Sequence, residues 1–208
     1  QLLQRGAEDA AVMRVILALL ERWGVSDFLR RVDLGLVPGA VGAAIARSLA
    51  ESAAPLAFVR EFLSRVPPAT TATALAAVPA LLSPMRDLIL ARIAQHPGEC
   101  GPLVHKLIEG EGAEVVGAAL VTSKGSAWPE EMLQRALRAL AKRPKSDQLV
   151  VQLARDRDAE VPVRLLAFEA LRQRPDVLAE AVKWRAADVM EPTEIRDRLG
   201  ELRKVAKA

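Results

Sequence analysis

The sequence predicts an all-α protein built as an array of short antiparallel helices, on three observations. Apolar residues recur at helical spacing in nearly every segment. Aromatic residues make up only 3% of the 208 residues and tyrosine is absent, so the core must come from Leu, Val, Ile and Ala. That supply suits close-packed helices better than a β-sandwich. No alternating apolar and polar segment is bounded by hairpin turns.

The elements follow in order. Between Glu8 and Arg22, the residues Ala11, Val12, Val15, Ile16, Leu19 and Leu20 form one stripe. Gly24 ends that helix, and Ser26 caps a short one through Arg31. The stretch VDLGLVPG is a break, followed by an Ala-rich helix over 39–51. Pro55 opens the next helix, which reaches about Arg65 and is stopped by Pro67-Pro68. Thr70 or Thr71 is expected to cap a helix to about Leu82, and Ser83-Pro84 to start another over 84–96. Further helices are expected at 99–109, 112–123, 128–143, 147–156, 159–174, 176–187 and 192–206. Trp128-Pro129-Glu130-Glu131 is a helix start with acids in the first turn, where the helix dipole favours them. Links of two to five residues make successive helices antiparallel neighbours.

These helices are related by offset. Leu140-Ala-Lys-Arg-Pro144 aligns with Leu171-Arg-Gln-Arg-Pro175 at an offset of 31 residues, and Ala136 to Leu140 with Ala167 to Leu171. A longer offset places Val115 over Val163 (48 residues) and Pro97 over Pro144 (47 residues). Helical repeats with periods of this size point to an α-solenoid. The expected domain is one helical-repeat unit over 1–208, with a diverged part at 1–68 and more regular repeats at 69–208.

The segment LARDRDAEVPVRLLAFEAL, residues 153–171, carries Asp158 at a turn, then Val163-Arg164, then Ala167, Ala170 and Leu171 facing inward. It resembles a HEAT repeat of the armadillo-like helical-repeat family, most clearly over 140–175, and the preceding RPKSDQLVVQLARDRD also looks like a leucine-rich variant repeat. The resemblance implies a right-handed solenoid of helix pairs and a scaffold that binds other proteins without catalysis. It also implies that Asp158 and Arg164 bond between units. On the residues alone, Asp158 is placed to cap the following helix, and Pro162 sits in its first turn, where a missing N–H costs little. The aspartates then have a structural task and no catalytic one.

The chain carries +3 overall, distributed unevenly: residues 1–123 hold 11 Lys/Arg against 12 Asp/Glu, and residues 124–208 hold 18 against 14. A basic C-terminal half can meet an acidic protein surface or nucleic acid. Arg135, Arg138, Lys142, Lys183 and Arg185 are the expected contact residues, for a protein partner with an acidic surface. The alternative is a nucleic-acid-binding HEAT-like module, extending to a DNA-glycosylase-like enzyme. The HEAT-like glycosylases grip DNA with Trp and Arg near an Asp, and here Trp184-Arg185 precedes Asp188. Seven aromatics in the whole chain make poor stacking platforms, which favours the protein partner. Self-association through the nearly uncharged helices near 36–50 and 70–82 is a further option; the simpler reading makes them the buried centre.

No cofactor is expected, because neither a P-loop nor a dinucleotide fingerprint occurs, and GEGAEVVG at 110–117 reads as a helix–helix turn. No metal is expected at His96, Cys100 and His105, since Pro97-Gly98 separates His96 from the helix of His105 and the sequence offers no fourth ligand beyond Glu99 or Glu109. One cysteine excludes an intrachain disulfide. No apolar run reaches the roughly 18 residues of a spanning helix, and the expected location is cytoplasmic. The chain begins at Gln1 and not Met, so a targeting segment can precede it.

Overall fold

A computed structural model describes residues 10–51, 54–183 and 191–206. The regular elements among those residues are all helices, with no strand among them. In chain order the helices are α1 (Ala10–Arg31), α2 (Gly39–Glu51), α3 (Leu56–Arg65), α4 (Pro68–Ala77), α5 (Arg86–Gln95) and α6 (Gly101–Glu109). They continue with α7 (Ala113–Ser123), α8 (Glu130–Ala141), α9 (Asp147–Arg155), α10 (Val161–Ala170), α11 (Pro175–Lys183) and α12 (Thr193–Ala206). Helix α1 is broken where the sequence predicts, at Gly24, whose φ of 69° and ψ of 165° suit glycine and few other residues. No described helix is long and apolar enough to cross a membrane.

The chain divides into two compact units, one of residues 1–92 with 99–106 and the other of residues 93–98 with 107–208. Among the described helices of unit 1, α2 and α4 pack together most extensively. Both are built from small residues, so their backbones approach closely. A methyl group on Gly42 would stand 2.3 Å from Cγ2 of Thr70. Val41, Ile45, Ala46 and Leu49 of α2 and Ala72, Ala74 and Leu75 of α4 are buried. The nearly uncharged helices are therefore the buried centre of this unit.

Two expected caps differ. Thr70 and Thr71 do not start α4, because Pro67 and Pro68 have already set the helical φ and the helix begins at Pro68. Their hydroxyls instead donate within the core, Thr70 Oγ1 to the Val37 carbonyl at 2.6 Å and Thr71 Oγ1 to the Leu63 carbonyl at 2.8 Å. Ser83-Pro84 lies in a turn, and α5 begins two residues later at Arg86.

In unit 2, α9 packs on α10 and on α8, and α11 packs on α12. Small residues again set the spacing. Ala136, Ala141, Ala154 and Ala167 are fully enclosed, and a methyl on Gly117 would meet Leu149 Cδ1 at 2.5 Å. Helix α7 ends in a left-handed turn at Lys124 and Gly125, with the Gly125 N–H donating back to the Leu120 carbonyl. As expected, Glu130 and Glu131 occupy the first turn of α8 and Pro162 sits in the first turn of α10; of the 110–117 stretch expected as a turn, only 110–112 is one, and 113–117 open α7.

Candidate functional site

Helix α8 is strongly two-faced. Leu133, Ala136, Leu137, Leu140 and Ala141 recur at three- and four-residue spacing and are buried. On the other side Glu131, Arg135, Arg138 and Lys142 recur at spacings of four, three and four, and all are exposed. That row lines a groove of about 460 Å³ with Gln134, Ala139, Arg143 and Ile108. Three of the five expected contact residues, Arg135, Arg138 and Lys142, are thus brought together. The side chain of Lys183 and all of Arg185 lie outside the described residues, as do Trp184 and Asp188.

The four cations differ in availability. Arg143 donates to the Ile108 and Gly110 carbonyls at 2.6 and 2.5 Å, satisfying backbone at the C-terminal end of α6, so it supports the groove floor. Arg135 reaches Glu109 at 3.4 Å, an exposed pair that solvent weakens. Arg138 and Lys142 form no ion pair or hydrogen bond with described side chains and face water. Chemically the groove is a set of cationic donors on a rigid helix, suited to carboxylates or phosphates.

The motif residues sit beside a different feature. Val163 and Ala167 are buried in α10. Arg164 is buried too: its Nε donates to the Ala154 carbonyl at 3.1 Å, and its Nη2 lies 2.7 Å from Glu191 Oε2. Asp158 does not cap α10. The N-cap is Glu160, which makes no side-chain capping bond, while Asp158 is exposed and accepts from Lys124 Nζ at 2.8 Å. Its own N–H donates to Asp156 Oδ1 at 2.9 Å, a local turn bond that holds it away from the helix start.

Trp128 is 7% exposed and donates from Nε1 to Ser123 Oγ, and Trp23 lies 5.3 Å from the guanidinium of Arg31. Neither lines the basic groove. Cys100 is buried, and burial, with help from Glu99 and against Arg92, pushes its thiol up to about 11. It is a protonated packing residue at neutral pH. Among the described residues no three His, Cys, Asp or Glu side chains cluster closely enough to hold a metal ion.

Sequence reasoning missed a second groove in unit 2, of about 740 Å³, formed by the 125–128 turn and helices α8, α10 and α12. Six carboxylates and one guanidinium line it. Arg198 donates to both Glu169 and Glu201, which hold it firmly protonated. Burial alone would raise the Glu169 pKa, but its hydrogen bonds from Arg172 and Arg198 outweigh this and hold it below the usual range. The only sequence signal was an excess of acids at helix starts, and that is equally what the helix dipole asks for.

The chain matches no protein-family model, no curated protein and no solved structure. The described residues define an all-helical protein that carries one basic and one acidic groove on the same compact unit.

Proposed function

We propose that the chain is a non-catalytic protein-interaction module, a HEAT-like array of helix pairs that presents the basic groove of α8 to an acidic segment of a partner protein. The observation that carries this reading is the exposed row Arg135, Arg138 and Lys142 on a helix whose other face is locked into the core. Short helices joined by short links, with α7 on α8, α8 on α9, α9 on α10 and α11 on α12 packed as chain neighbours in unit 2, support the array. A protein partner is preferred over nucleic acid because Glu131 ends the basic row, Glu109 pairs with Arg135, and no aromatic ring lines the groove for a base to stack on.

The test is a fluorescence-anisotropy titration with a labelled Asp/Glu-rich peptide and, separately, a labelled DNA duplex. The peptide should bind, and Arg138→Glu combined with Lys142→Glu should abolish binding. The duplex should remain in the non-specific range of roughly 10⁻⁴–10⁻⁶ M or weaker near physiological salt. Submicromolar duplex binding lost in the same variant would replace this reading with the nucleic-acid one. Peptide binding indifferent to the charge reversal would remove the groove from the function.

A further inference from the structure

We infer that the acid-rimmed groove between α8, α10 and α12 docks a basic amphipathic helix of a partner protein. This surface is separate from the basic groove and calls for a ligand of opposite charge.

Its floor is apolar. Leu165 and Leu166 of α10 are half-buried, Pro162 is exposed, and Trp128 closes one end with its polar edge tied to Ser123. Leu166 is only partly covered by the rest of unit 2 and lines the groove. The volume of about 740 Å³ is within the range of sites that enclose several side chains of a ligand.

Its rim is negative by more than the fold requires. Glu130, Glu160 and Glu194 stand at the starts of α8, α10 and α12, so each offsets a helix dipole of roughly half a positive charge. Arg198 is neutralised by Glu169 and Glu201. Arg172 also pairs with Glu169, and after these cancellations the groove still carries an excess of roughly two to three negative charges. Asp197, in the body of α12, has no ion pair among the described residues and no dipole to offset. An apolar floor under an acidic rim fits a helix with Leu-type anchors at i, i+3, i+4 and i+7 and Lys or Arg on its flanks. A small polycation would satisfy the rim and leave the floor unused.

The test uses a labelled helical peptide of Leu and Lys in that pattern, titrated by anisotropy against the whole chain. A shuffled peptide, a peptide with Glu in place of Lys, and spermine serve as competitors. The patterned peptide should bind with a Kd of order 1–100 µM and weaken about tenfold or more in Asp197→Lys and in Glu160→Gln/Asp197→Lys, more steeply at low salt. Binding should be unchanged in Glu51→Lys, a control that is not among the groove-lining residues, and in Arg138→Glu/Lys142→Glu, which separates this surface from the basic groove. Melting curves confirm that each variant is folded, and the single and double variants guard against loss of either one. Equal binding of the shuffled peptide, indifference to Asp197→Lys, or no binding at about 1 mM would overturn the inference. So would displacement by spermine at equal affinity, which assigns the rim to small cations. Self-association of the chain relieved by Asp197→Lys would assign the groove to a second copy, and also overturns it.

Discussion

Arg164 and Glu191 meet inside unit 2, guanidinium Nη2 to carboxylate Oε2 at 2.7 Å, with side chains 2% and 0% exposed. The approach is an ion contact rather than an aligned hydrogen bond. Arg157 Nε stands 4.0 Å from the other carboxylate oxygen. Arg164 also satisfies the Ala154 carbonyl in the last turn of α9, one of the backbone acceptors that a helix end leaves unpaired. One side chain of α10 thereby holds the end of α9 and the residue two before α12.

Removing one partner strands a buried charge, and that outweighs the attraction lost. Glu191→Gln is expected to cost about 3–5 kcal/mol in equilibrium denaturation. Replacing both, as Arg164→Met with Glu191→Leu, should recover much of the loss, leaving about 1–3 kcal/mol for the unsatisfied Ala154 carbonyl. A double variant as unstable as Glu191→Gln would show that the pair does not act as a charge-compensated unit.

The helices were legible because the chain punctuates itself. Gly24 breaks α1, Pro67-Pro68 separates α3 from α4, and Pro129 precedes α8 where expected. The basic row was legible because residues three and four apart on one helix must share a face. The misplaced caps at Thr70, Thr71 and Asp158 show that a hydroxyl or carboxylate near a helix start is only a local signal: Pro67-Pro68 start α4 ahead of the threonines, which become core donors, and Asp158 is drawn to a tertiary partner. The threonines donate to the Val37 and Leu63 carbonyls, and the partner of Asp158 is Lys124. The acidic groove was not legible because Glu130, Glu160 and Asp197 are far apart in sequence and meet only through packing of α8, α10 and α12.

Asp158 and Lys124 make a solvent-exposed pair, and its signature is a titration and not a melting point. The hydrogen bond from Lys124, then its charge, holds the Asp158 carboxyl below the usual range, and the same bond, seconded by charge, raises Lys124. Any stability from Asp158 is present above its unfolded pKa and fades as pH falls through the lower folded one. For Lys124 it is present below the unfolded pKa and fades as pH rises through the higher folded one. Because both groups face water, Asp158→Ala should leave the melting midpoint unchanged near physiological salt. NMR titration of the carboxyl should show Asp158 returning to the ordinary range in Lys124→Gln. A carboxyl unmoved by that change, or a melting midpoint several degrees lower in Asp158→Ala, would restore a capping role.

Gly42 and Thr70 set how closely α2 and α4 approach, and the threonine cannot yield by rotating. Its Oγ1 is committed to the Val37 carbonyl at 2.6 Å, which fixes χ1 and aims Cγ2 at the space above Gly42. A methyl added there would stand 2.3 Å from Cγ2. Gly42→Ala gains helix propensity, worth up to about 1 kcal/mol, but must either push the helices apart or break the buried hydroxyl bond. Overpacking of this kind costs about 1–3 kcal/mol, so the net change should be destabilising. Thr70→Ser keeps the hydroxyl and deletes the obstructing methyl. In that background Gly42→Ala should be neutral or stabilising, a coupling read directly from a double-mutant cycle in urea. Additive effects of the two substitutions would show that Cγ2 of Thr70 does not limit the approach of these helices.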